Sequence, residues 1–134
     1  MTPTVPYIEA KFDEFNELIF DGKLPKIPVA LSKATTYVGI CTYKIRRRLF
    51  RKPEPYNFKL RISTRFDLSE AELEDTIIHE MIHYYMRLNG IKDTSAHGKV
   101  FRQMMADINS KYGRHIRISL RLKASGSPET PARP

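Results

Sequence analysis

Residues 79–83 read His-Glu-Met-Ile-His. Two histidines four positions apart lie one turn apart on the same face of a helix, close enough to grip a single metal ion. Glu80, directly after the first, is a carboxylate placed to take a proton from water on that metal. The chemistry this combination serves is hydrolysis with a zinc ion as Lewis acid and Glu80 as general base. A catalytic zinc also needs a third protein ligand and an open fourth position. Beyond His83 the only glutamate is Glu129, near the end of the chain, and positions 86 and 89 are Met86 and Asn89. Neither a downstream glutamate ligand nor the close-spaced third histidine of H-E-x-x-H-x-x-G-x-x-H is therefore available. Asp93, His97, Asp107 and His115 remain by residue type. His97 is the best of them, because positions 97, 101, 104 and 108 share a helical face and a histidine packed there needs a polar partner. Asp93 is the reserve ligand, and Gly98 leaves room for a close approach beside His97.

These residues need rigid elements to hold them. Ser69 and Glu72 form a capping box, and Glu70, Glu72, Glu74 and Asp75 place acids in the first turns of a helix that runs to about Asn89-Gly90. Leu73, Ile77, Ile78, Met81, Ile82 and Tyr85 give that helix apolar surface on more than one side, so it is central and buried. Thr94 or Ser95 opens a second helix, which carries His97 and ends before Tyr112-Gly113. Upstream, residues 7–20 form an amphipathic helix through Ile8, Phe12, Phe15 and Ile19, stopped by Gly22 and Pro25. Residues 26–32, 37–44 and 56–64 read as strands, the last with Phe58, Leu60 and Ile62 facing one way and Lys59, Arg61 and Ser63 the other, as in a half-buried antiparallel sheet. Gly39 marks a bulge or a close backbone approach. Residues 115–122 alternate as a short strand. The expected organisation is an N-terminal extension over 1–6, one domain over 7–123 built around the zinc site and a disordered tail over 124–134. The fold class is α+β, a small zincin-like domain with about three antiparallel strands.

With 134 residues, 41% hydrophobic and 28% charged, the chain fits one globular domain. It contains no apolar run of membrane-spanning length, so no membrane association is expected, and its first residues lack the pattern of a signal peptide. Cys41 is the single cysteine, which excludes an internal disulfide and a four-cysteine zinc site. An intracellular location, cytoplasmic or at the nucleoid or nucleus, is expected. The net charge of +8 is unevenly spread: residues 44–65 hold nine Lys or Arg against Glu54 alone, and residues 87–123 hold nine against Asp93 and Asp107. Such segregation predicts a positive face suited to nucleic acid. Arg46, Arg47, Arg48, Arg51 and Lys52 are the candidate DNA contacts, with Phe50 and Tyr56 placed among them where they could stack on single-stranded bases. Cys41 reads as a small core residue.

Four groups of residues together resemble the SprT-like metalloprotease domain. They are Phe15-Asn16-Glu17-Leu18-Ile19-Phe20 with Gly22-Lys23-Leu24-Pro25; Gly39; His79-Glu80-Met81-Ile82-His83; and His97-Gly98-Lys99-Val100-Phe101 with Met104-Met105. The resemblance spans about residues 7–110. It implies one Zn2+ ligated by His79, His83 and His97, Glu80 as the catalytic acid/base, protein as substrate, and the DNA-directed proteolysis of crosslinked proteins seen in Spartan-type members. Many family members carry a ribbon with paired cysteines, which this sequence lacks, leaving the two basic segments to contact DNA. A different class of function, a DNA-binding module with a structural metal and no peptidase activity, has no use for the carboxylate beside its ligands. Oligomeric state has no signature here.

Overall fold

The computed structural model describes residues 1–123 and 129–132. Helix α1, Val5–Phe20, begins at Thr4, whose Oγ1 accepts the Tyr7 N–H at 3.3 Å. The proline in its first turn, where no intrahelical N–H is needed, helps start the helix. Residues 5 and 6 therefore belong to the helix and not to an extension. Ile8, Phe12, Phe15 and Phe20 are its buried face. Asp21 and Gly22 follow with φ of 55° and 68°, the left-handed turn that ends the helix. Asn16 then brackets Leu24, donating from Nδ2 to its carbonyl at 2.8 Å and accepting its N–H on Oδ1 at 3.0 Å. Tyr84 donates to the Pro25 carbonyl at 2.9 Å. The turn after α1 is thus fastened both to α1 and to Tyr84.

Three strands follow: β1, Val29–Ser32; β2, Gly39–Arg46; and β3, Glu54–Ser63. Their order is β1-β3-β2, with β3 parallel to β1 and antiparallel to β2. The expected antiparallel sheet is therefore mixed. Residues 33–38 carry the chain past the place of an adjacent strand, and β3, the longest and most regularly alternating strand, fills the centre. Phe58, Leu60 and Ile62 are buried there. A register irregularity lies between Thr42 and Lys44, opposite Asn57 at φ 56°. One edge of β2 faces away from β3.

Helix α2, Glu70–Leu88, has the complete capping box: the Glu72 N–H donates to Ser69 Oγ at 3.1 Å and the Ser69 N–H to Glu72 Oε1 at 2.9 Å. Eleven of its residues are buried, His79, Glu80 and His83 among them. Helix α3 spans Lys99–Tyr112 with Gly98 as N-cap, so it starts later than Thr94 or Ser95. Asp93 explains the shift: its carboxylate accepts the N–H groups of Thr94, Val100 and Phe101 at 2.8, 3.2 and 2.9 Å. It caps α3 from six residues upstream and folds 94–98 into a turn.

After Gly113 the chain returns along α2. Arg114 reaches Glu74 Oε1 and Asp75 Oδ1, each at 2.7 Å. The regular strand expected over 115–122 is confined to β4, Leu120–Lys123; residues 115–119 are irregular because Asn109 holds Ile116 through its N–H and carbonyl. Strand β4 pairs with β5, Glu129–Ala132. That pairing corrects the disordered tail at 129–132, since an alternating strand offers a backbone edge that an extended segment satisfies. The rest of the expected tail, 124–128 and 133–134, lies outside the described residues. Among the described residues no helix is long and apolar enough to cross a membrane.

Candidate metal centre

Helix periodicity puts His79 and His83 on the same face of α2, where their ring centroids are 5.1 Å apart. His97 arrives from the turn before α3 and not from a helical face shared with Phe101, as the sequence pattern suggests. Asp93 makes this possible by closing the 93–98 turn. At Gly98 a Cβ would collide with the Asp93 and Thr94 side chains. The close approach allowed by this glycine is thus to side chains, and it keeps the turn tight. Phe101, fully buried, packs against all three imidazoles at centroid distances of 4.5–4.9 Å.

The three rings converge through their Nε2 atoms. His97 Nε2 is 3.1 Å from both His79 Nε2 and His83 Nε2. His79 Nδ1 lies 2.8 Å from the Arg117 carbonyl. A carbonyl only accepts, so Nδ1 carries the proton and the Nε2 lone pair faces the cluster. Burial, against the pull of that carbonyl, pushes the His79 pKa down to about 4. Burial, aided by His79, His97 and Arg87, takes His83 down to about 3, and burial also lowers His97. Neutral imidazoles with converging lone pairs form a donor set that fits a metal ion. Two of the nitrogen pairs sit near the roughly 3.3 Å expected between ligands about 2.0–2.1 Å from a tetrahedral centre.

Glu80 is 2% exposed. Its Oε2 lies 3.9 Å from His79 Nε2, and its carboxyl receives the Cys41 backbone N–H. Burial pushes its pKa up to about 8, opposed by that hydrogen bond and by Arg87. Gly39 explains how strand and helix come so close. A Cβ there would stand 2.9 Å from Thr76 Cγ2, 3.0 Å from Ile62 Cδ1 and 3.4 Å from Glu80 Cγ. The glycine marks contact with side chains on α2 and β3, while the strand irregularity lies further along.

The described part of the chain matches the SprT-like family model over residues 8–123. The chain belongs to the SprT-like family. It is 37% identical over 117 residues to the DNA-dependent metalloprotease SPRTN of Rattus norvegicus and 36% identical to that of Homo sapiens, covering 84% of this chain and 22% of each relative. It is 33% identical over 120 residues to the DNA-dependent metalloprotease dvc-1 of Caenorhabditis elegans, covering 84% of this chain and 30% of that one. The chain thus spans less than a third of these relatives' length. Their names make this a family of metalloproteases, and His79, His83 and His97 are the one group among the described residues arranged to hold a metal ion.

Other ligand types in this SprT-like chain are used elsewhere. Asp93 caps α3, Asp107 accepts from Gln103, and His115 is exposed. Tyr84 and Tyr112, which could by type stabilise an oxyanion, donate instead to the Pro25 and Leu18 carbonyls. Arg46, Arg47, Arg48, Arg51 and Lys52 are all exposed at the far end of the β2–β3 hairpin, away from the histidines. Sequence reasoning missed Arg87, whose guanidinium lies 4.4 Å from the Tyr43 ring and whose charge reaches Glu80, His83 and Cys41. Its position four residues after His83 on the ligand face could have revealed it. The Arg117 carbonyl carries no side-chain signal at all. Burial pushes the Cys41 thiol up to about 12, against Arg87 and with Glu80, as suits an unreactive core residue.

Proposed function

We propose that this chain is a zinc-dependent endopeptidase that acts, inside the cell, on proteins bound or crosslinked to DNA. The observation that carries the catalytic half is Glu80, a buried acid with its carboxyl 3.9 Å from a histidine of the cluster. A purely structural metal site gains nothing from that costly neighbour. The DNA-directed half rests on the segregated positive charge and on relatives named DNA-dependent.

His79, His83 and His97 would hold one zinc ion through Nε2. When bound, zinc supplies Lewis-acid activation of water and of the scissile carbonyl. His79 is fixed in ring orientation and tautomer by the Arg117 carbonyl. Glu80 takes the water proton on its carboxylate and passes it to the departing amine nitrogen. The Cys41 N–H and the Arg87 charge favour the ionised carboxylate that the first transfer needs. Phe101 excludes water from behind the imidazoles and holds their rings apart.

Cleavage of a DNA-bound protein is the test. Stripping the metal with a chelator should abolish cleavage, stoichiometric zinc should restore it, and DNA should stimulate it. Undiminished cleavage by the stripped protein contradicts the reading.

A further inference from the structure

The β2–β3 hairpin ends in a turn that local chemistry does not favour. The Arg51 N–H donates to the Arg48 carbonyl at 3.2 Å, so Leu49 and Phe50 are the two central residues. Phe50 has φ 62°, a left-handed conformation that glycine or asparagine usually supplies and that strains a bulky side chain. Neither apolar side chain gains burial in return: Leu49 is 81% exposed and Phe50 96%. Local strain without internal compensation is a mark of function.

The surroundings specify the partner. Arg47, Arg48, Arg51 and Lys52 are exposed and form no ion pair among the described residues. Arg46 stacks 4.5 Å over the Tyr56 ring, adding a flat cationic and aromatic surface on the same hairpin. Arginine forks suit phosphate oxygens, and planar rings suit the faces of unpaired bases. Two apolar side chains at the turn are a small anchor for a lipid surface, whereas the Arg46–Tyr56 stack beside them suits a planar base; duplex DNA hides its base faces. Strand β2 also links this tip to the catalytic residues. Its Cys41 N–H contacts Glu80, and Arg46 stands roughly 17 Å further along the strand at about 3.4 Å per residue.

We propose that the turn at residues 48–51 is a contact for single-stranded DNA, in which Phe50 stacks on an unpaired base while Arg47, Arg48, Arg51 and Lys52 hold the flanking phosphates. This deepens the DNA-directed half of the proposed function and rests on it.

The test is fluorescence anisotropy of the full chain with a labelled single-stranded oligonucleotide and with a blunt duplex of the same length. Vesicles of phosphatidylserine and phosphatidylcholine form a third arm. Phe50→Ala and Phe50→Gly should each lower single-strand affinity about tenfold or more, leaving duplex affinity and the salt slope unchanged. Both should fold normally, since the ring packs on nothing, and glycine suits the left-handed turn. Arg47→Ala with Arg48→Ala should flatten the single-strand salt slope by about 1.4, or about 0.7 per lost phosphate contact. Single-strand binding by both Phe50 variants within twofold of wild type overturns the proposal. So does a loss confined to vesicles. Wild-type binding keeps the two claims separate. A wild type that binds neither oligonucleotide overturns the DNA-directed reading and the hairpin contact together, whereas binding kept by wild type and by both Phe50 variants overturns the hairpin contact alone. Normal DNA binding by the Phe50 variants, with cleavage lost in Glu80→Gln, removes the hairpin contact alone. Cleavage by Glu80→Gln removes the catalytic reading and leaves the binding result standing.

Discussion

Replacing Glu80 by Gln should stabilise the metal-free protein, and increasingly so as pH rises. Burial raises the pKa of this carboxyl from 4.5 to about 8. Between those values the folded chain retains a proton that the unfolded chain has released, so stability falls as pH rises through the window. At about 1.36 kcal/mol per pH unit, the penalty is about 1 kcal/mol at pH 5 and about 4 kcal/mol at pH 8. Glutamine keeps the shape and can still accept the Cys41 N–H, but it carries no charge to bury. His79 and His83 act in the opposite sense. Burial lowers their pKa values to about 4 and about 3, so their contribution is present above 6.5 and is lost as pH falls below it. Wild type and variant share that contribution, and it cancels in their difference. Urea unfolding of chelator-treated proteins at several pH values measures this difference. The advantage of the variant should grow by about 3 kcal/mol from pH 5 to pH 8. A difference that stays constant across the range refutes the reasoning, because Glu80 would then not be held as a buried acid.

Other perturbations probe the supports around the site. Gly39→Ala would force its new methyl against Thr76, Ile62 and Glu80, costing about 1–3 kcal/mol in thermal unfolding and lowering cleavage by displacing Glu80. Asp93→Ala removes the hydrogen bonds that close the His97 turn; zinc affinity, read by competition with a chromophoric chelator, should fall about 10–100-fold while the fold persists. Arg114→Ala leaves Asp75 without its cation and Glu74 with Lys11 alone, and should cost about 1–3 kcal/mol in urea unfolding with zinc affinity unchanged.

What could be read in advance was whatever the chain decides locally. The Ser69–Glu72 capping box and the acids after it fix the start of α2 within a few residues, and the i, i+4 spacing fixes the histidine pair on one face. The alternation of Phe58, Leu60 and Ile62 likewise reveals the buried face of β3. Decisions made across the fold were hidden. The order β1-β3-β2 depends on which strands meet, and the parallel pairing of β1 with β3 has no mark in either segment. Apolar periodicity suggested that α3 begins before His97, but Asp93 intercepts the N–H groups and delays it. His97 was legible by residue type and not by the path it takes. The Arg117 carbonyl, which orients His79, was invisible because any residue supplies one.

Zinc content and proteolysis measured on the same preparation of Glu80→Gln test the central claim most directly. One zinc ion per chain, as in wild type, together with loss of cleavage of a DNA-bound protein, is the predicted result. Cleavage at the wild-type rate by a fully zinc-loaded Glu80→Gln protein would contradict the account.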